Sequence, residues 1–283
     1  MNKVAVVTDS TASIPKEYLE KYSISVAPQI LIWGEQTFED GVDIQPDEFY
    51  RRLASAKVMP TSSQPHVSTM KQTFSALLDQ GYSVLGVFIS EKLSGTLQSA
   101  MQAREMLSGG KEKVEIVDSQ SSAMCLGFQT LAAARAAADG ASLAECKTLV
   151  ENARAHTGIY FTVDTLEFLQ RGGRIGRAQR LLGTALNLKP ILVVHDGNVD
   201  AVERIRTRRK AMERLVEIVV EQCAGKPAVR LATMDANAQA EAKEVLESAA
   251  GQLNVNEKIF AQLSPVVGVH TGPGTIGLAY MTE

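Results

Sequence analysis

Short apolar runs alternate with amphipathic stretches along the first half of this chain. Residues 3–7 are apolar and end in Thr8-Asp9-Ser10-Thr11, which predicts a buried strand with a polar loop at its carboxyl end. Pro15 starts a short helix through residue 19, and residues 24–32 read as extended. Residues 36–44, with Asp40-Gly41, predict a loop or hairpin. Acidic residues in a first turn support a helix over 46–56. Pro60-Thr61-Ser62-Ser63-Gln64-Pro65 reads as a loop that opens a helix over 67–80. A buried strand is expected over 84–89, then a helix after Ser94-Gly95 towards Leu107. Residues 114–117 predict a strand ending in Asp118-Ser119, followed by an alanine-rich helix over 124–138. Ser142 and Glu145 have capping-box spacing and start a helix through residue 155.

Such alternation predicts an open, mostly parallel α/β sheet whose ligands gather at the carboxyl ends of its strands. The later part reads differently. Strands over 159–163 and 190–194 flank a helical stretch over 165–188, interrupted at Gly172-Gly173. Asp196-Gly197-Asn198 between two strand-like runs signals a hairpin. A helix over 208–223, a strand over 229–234, a helix over 237–250 and a strand over 258–263 follow. The expectation is a mixed or antiparallel sheet with helices against it. A boundary near His156 divides the chain into an N-terminal α/β domain, 1–156, and a C-terminal α/β domain, 157–283.

The segment from Val266 to Tyr280 is the most informative. Its apolar run, expected to be a buried strand, ends on His270; a glycine-rich turn follows, and a second apolar run begins at Ile276. That order sets an imidazole and the Thr271 hydroxyl beside backbone that can approach a ligand closely. With the hydroxyls after the earlier strands, the chain gathers neutral hydrogen-bond donors around one small anionic group.

Composition narrows the field. A 45% hydrophobic fraction supplies a core, while 29 Lys and Arg against 32 Asp and Glu leave a net charge of −3, so no overall basic field argues for nucleic acid. Aromatic content of 5% weakens base stacking as well. Cys125, Cys146 and Cys223 are scattered, without metal spacing. The chain starts directly as a strand with no secretory apolar region, so a reducing, cytoplasmic setting is expected. No apolar run reaches the ~18 residues of a membrane span.

P-loop, His-Glu-x-x-His, Cys-x-x-Cys and Gly-x-Ser-x-Gly signatures are absent. Four dispersed histidines, His66, His156, His195 and His270, predict no metal site. The hydroxyls of Thr61, Ser62 and Ser63 read either as a helix cap or as an anion cradle, and Ser94-Gly95 carries the same two readings. Arg171, Arg174 and the run from Arg204 to Lys210 read either as solvated corners or as a basic patch for phosphate or an acidic partner. A serine-type lipid hydrolase with Ser94 as nucleophile and His270 as base is the rival reading, for which no orienting acid stands out. A nucleic-acid-binding regulator using the Arg204–Lys210 run is a second rival, disfavoured by charge.

Taken together, Thr8-Asp-Ser-Thr11, Pro60-Thr-Ser-Ser-Gln-Pro65, Leu93-Ser-Gly-Thr96, Val117-Asp-Ser119, Gly172-Gly-Arg-Ile175, Arg206-Thr-Arg-Arg-Lys-Ala211 and His270-Thr-Gly-Pro-Gly274 occur in the order of the DegV family. The chain resembles that family over essentially its whole length. The resemblance implies a two-domain α/β fold that holds a long-chain fatty acid between its domains. It further implies the fatty-acid-binding subunit of a bacterial fatty acid kinase, a carrier without a complete active site. A separate ATP-using subunit, which brings ATP and Mg²⁺, makes acyl-phosphate for phospholipid synthesis; transient membrane contact for lipid exchange is compatible with this. The implied carboxylate contacts are Thr61, Ser94 and His270, with Ser62, Gly95 and Thr271 beside them. Arg174 and Arg206 are the implied contacts for the kinase or the transferring phosphoryl group. Two places depart from the family pattern: Ser62 replaces a second threonine, and Glu91-Lys92 replaces a small Ser-Gly pair.

Overall fold

The computed structural model describes residues 3–182 and 188–283. Elements are numbered in chain order. Three sheets organise the chain. The first has order β2-β1-β6-β7, all parallel, from β1 (Val4–Asp9), β2 (Ser25–Ala27), β6 (Ser83–Phe88) and β7 (Val114–Asp118). Every residue of β1 and β6 is buried, as expected where helices cover both faces of a parallel sheet. A small antiparallel sheet, β4-β3-β5, joins β3 (Ile30–Trp33), β4 (Gln36–Glu39) and β5 (Thr61–Ser63).

The third sheet has order β10-β9-β8-β13-β11-β12. Its strands are β8 (Thr157–Thr162), β9 (Ile191–His195), β10 (Asn198–Glu203), β11 (Val229–Asp235), β12 (Val255–Gln262) and β13 (Ile276–Thr282). Only β11 and β12 run parallel, so the sheet is mixed. Asp196 and Gly197 form the two-residue turn between β9 and β10, both at positive φ as a type I′ hairpin requires.

Helices α1 (Lys16–Lys21), α2 (Pro46–Leu53), α3 (Val67–Asp79), α4 (Thr96–Glu105), α5 (Ala123–Ala138) and α6 (Leu143–Ala153) surround the first two sheets. Helices α7 (Glu167–Arg171), α8 (Arg208–Cys223), α9 (Gln239–Ala250) and α10 (Pro265–Thr271) follow. In α6 the capping box is complete: Ser142 Oγ accepts from the Glu145 N–H and a Glu145 carboxylate oxygen accepts from the Ser142 N–H. Eleven of the sixteen residues of α5 are buried, so it is apolar nearly all round and behaves as an interior helix. It touches β1 and β6 on one side and β8, β11 and β13 on the other. One continuous core therefore runs from Val6 and Leu85 to Ile159 and Met234.

Several elements depart from the sequence pattern. The run that ends on His270 is helix α10, not a strand. Pro265 occupies its first turn and Ser264 Oγ accepts from the Val267 N–H, so a helix-start signal outweighs a short apolar run that suits either conformation. The segment between Pro60 and Pro65 is partly strand, because β5 pairs with β3; the residue before each proline is biased towards extended backbone. Residues 24–32 split at Pro28 into β2 and β3, which join different sheets. Of the helical stretch expected over 165–188, α7 and a 3₁₀ segment at Gly176–Leu181 are present, and 183–187 lie outside the described residues.

Candidate functional site

One face of the six-stranded sheet, helix α10 and strand β5 line an apolar cavity. The sheet side is apolar. Ile159 and Phe161 alternate on β8, and Val194, Val199 and Met234 extend the wall across neighbouring strands. Gly277 on β13 lies in the same wall, where a Cβ would approach Met234 Cε to 2.8 Å. Val266 and Val267 add apolar surface from α10.

Four residues further along α10, on the same helix face, stand His270 and Thr271. Two polar groups of the cavity meet here. His270 Nε2 and Ser62 Oγ are 2.7 Å apart. Burial pushes the His270 imidazolium down to about 4, and the nearby Arg174 charge adds to the shift. The ring is therefore neutral at neutral pH. Its Nδ1 is buried without a hydrogen-bond partner among the described residues, against Gly172. Arg174 ties the two halves of this rim together: its Nε donates to the Leu93 carbonyl at 3.0 Å and another guanidinium N–H to the Gly172 carbonyl at 2.7 Å.

Ser94, which also borders the cavity, sits on a chain of hydrogen bonds that runs inwards to buried groups. Its Oγ is 2.8 Å from Thr96 Oγ1, which accepts from Gln29 Nε2 at 2.7 Å. Gln29 Nε2 also donates to Asp9 Oδ1 at 3.2 Å. Asp9 ends β1 and is fully buried. Burial pushes its carboxyl up, and the donors from Thr11, the Ile89 N–H and Gln29 oppose that rise. Sequence reasoning missed Gln29 and Thr96. An ionisable residue at the end of an all-apolar strand was the available signal, since such a group needs nearby donors.

Among the expected site residues, Ser62, Ser94, His270, Thr271 and Arg174 border this cavity. Thr61 does not; it borders an adjoining hollow that shares Ser62, His270 and Arg174 and adds Arg171. Gly95 backs the rim, where a Cβ would lie 3.2 Å from the Gln64 side chain. Arg206 is exposed in the connection between β10 and α8, borders neither space, and makes no ion pair or hydrogen bond among the described residues.

A Ser94–His270 nucleophile–base pair is not formed, because Ser94 bonds Thr96 and His270 bonds Ser62. Among the described residues no carboxylate reaches Nδ1. An imidazole held near 4 is also a poor base at neutral pH, where catalysis favours a pKa close to ambient. No cluster of three or more His, Cys, Asp or Glu side chains suits a metal ion among the described residues. No helix there is long and apolar enough to cross a membrane.

These features define an α/β protein with an apolar, polar-rimmed cavity between a parallel and a mixed sheet. A family model described as "Uncharacterised protein, DegV family" matches residues 3–283, and the chain belongs to the DegV family. A DegV domain-containing protein of Clostridium perfringens is 34% identical over 282 residues, 99% of each chain. A DegV family protein from Thermus thermophilus, solved for its fatty acid binding, is 32% identical with a TM-score of 0.93, covering 99% of this chain and 100% of that one. A stearic-acid-binding protein from Eubacterium ventriosum is 27% identical with a TM-score of 0.90, covering 100% of this chain and 98% of that one.

Proposed function

We propose that this protein binds one long-chain fatty acid, with the acyl chain against the Phe161, Val199 and Met234 wall and the carboxylate at Ser62, Ser94, His270 and Thr271. The observation that carries this reading is an apolar cavity ending in a neutral Ser62–His270 pair. The fatty-acid-binding relatives from Thermus thermophilus and Eubacterium ventriosum support the ligand class. Burial of about fifteen methylenes offers roughly 12 kcal/mol gross at ~0.8 kcal/mol each. Ordering and association costs remove much of it, yet tight binding survives. The chain supplies affinity and the rim supplies orientation.

Hydroxyls and a neutral imidazole suit a carboxylate that must go on to react, and the neighbouring Arg174 guanidinium spends two of its N–H groups on the Leu93 and Gly172 carbonyls. The protein is then a carrier in a two-component, cytoplasmic fatty acid kinase, with the ligand held between units 1–156 and 157–283. It needs no cofactor of its own. A separate subunit brings ATP and Mg²⁺; the carboxylate oxygen attacks the γ-phosphorus and ADP leaves, giving acyl-phosphate for phospholipid synthesis. Thr61 shapes the adjoining hollow through which that oxygen is reached, Gly95 backs the rim, and Arg174 and Arg206 meet the partner subunit.

The test combines the loaded protein with a bacterial fatty acid kinase ATP-binding subunit, ATP, Mg²⁺ and labelled palmitate. His270→Ala is expected to retain most palmitate while losing most acyl-phosphate formation. Equal loss of loading and phosphorylation removes the orienting role, and no phosphorylation with wild type removes the carrier reading.

A further inference from the structure

The chain of hydrogen bonds behind Ser94 has a direction. Asp9 Oδ1 accepts from the Thr11 N–H and Thr11 Oγ1, and Oδ2 accepts from the Ile89 N–H. As a carboxylate facing the Thr11 and Ile89 N–H groups, Asp9 only accepts, and the Gln29 amide then turns its NH₂ towards it. The second proton of that NH₂ goes to Thr96 Oγ1. Thr96 is fully buried, and the neighbour left for its own proton is Ser94 Oγ at 2.8 Å. Ser94 Oγ also accepts from the Thr96 N–H at 3.4 Å. With both of its lone pairs engaged, the Ser94 hydroxyl has only its proton left to offer, and Ser94 borders the cavity.

We infer that Gln29 is a positioning residue which, held by Asp9 and acting through Thr96, makes Ser94 a one-way hydrogen-bond donor and so selects an anionic carboxylate over a neutral alcohol. This rests on the fatty-acid reading above. A carboxylate only accepts and gains a charge-assisted bond from that donor. A fatty alcohol of the same chain length can also accept, but weakly, and its own proton finds no acceptor at Ser94.

The test compares palmitate with hexadecanol, each competing against a fluorescent fatty acid for the full-length protein. Gln29→Met removes both amide donors at similar length, so the Thr96 and Ser94 hydroxyls can reverse. Thr96→Val frees a lone pair on Ser94. Each is expected to lower the preference for palmitate over hexadecanol about tenfold. Thr96→Ser restores the relay and is expected to keep the wild-type preference. Val199→Ala, in the apolar wall, is expected to weaken both ligands alike. Thermal unfolding checks that each variant folds; if Gln29→Met does not, Thr96→Val carries the comparison. Equal weakening of both ligands by Thr96→Val, or loss of preference in Thr96→Ser, overturns the relay alone. A wild-type protein that binds neither ligand overturns the fatty-acid reading, and the relay with it.

Discussion

Gly172 lies against the ring of His270 so closely that a Cβ there would overlap Nδ1. Its φ is −75°, an ordinary helical value, so the backbone itself does not require glycine and the constraint is steric. Gly172→Ala is therefore expected to push the imidazole off Ser62. Overpacking of this kind costs about 1–3 kcal/mol. Losing an aligned partner is expected to weaken palmitate binding about tenfold. Urea denaturation and a palmitate titration read the two effects; unchanged affinity would show that the ring does not hold the head group.

Stability against pH separates two buried groups. His270 is held down to about 4 from an ordinary 6.5, so the unfolded chain binds the proton more tightly. Its contribution is complete above 6.5 and is lost as pH falls towards 4, a change of about 3 kcal/mol. Replacement by Gln is expected to remove that loss. Urea midpoints for wild type and His270→Gln that change in parallel across this window would contradict a neutral buried ring.

Asp40 has the opposite sign. Its Oδ2 accepts from Ser10 Oγ at 2.6 Å, and burial pushes the carboxyl up to about 6 from 3.8. Here the folded chain binds the proton more tightly, so stability is greatest below 3.8 and falls as pH rises through 6, again by about 3 kcal/mol. The two contributions oppose each other in wild type. Asp40→Asn is expected to unmask the His270 slope, with stability falling more steeply on acidification than in wild type. Denaturation midpoints across this pH range check it, and an unaltered slope would mean Asp40 is not the group that titrates.

Gly277 offers a way to shorten the cavity without touching its polar rim. A Cβ there meets the far end of the flexible Met234 side chain, which can give way. Gly277→Val is expected to leave decanoate binding nearly intact while weakening stearate about tenfold or more, since each buried methylene carries about 0.8 kcal/mol. Competition assays over a series of chain lengths check this; a uniform loss at all lengths would place the acyl chain elsewhere.

Much of the fold was legible because its signals are local. The all-buried β1 and β6, the capping box at Ser142 and the Asp196-Gly197 turn each follow from a few neighbouring residues. Helix α10 was not, because the short apolar run Pro265–Val269 suits strand or helix alike, and the Ser264-Pro265 start alone tips it towards helix. At the candidate site, hydroxyls and an imidazole in glycine-rich turns pointed to Ser62, Ser94 and His270. The Ser62–His270 bond spans 208 positions and the Gln29–Thr96 bond 67, distances no local pattern encodes. Arg206, exposed and outside both spaces, rests on the motif match alone.

Mass spectrometry of the protein purified from bacterial cells, first native and then after organic extraction, tests the central claim most directly. The account predicts one C14–C18 fatty acid per chain, retained in the native spectrum and released by solvent. A protein that emerges empty and takes up neither palmitate nor oleate would contradict it.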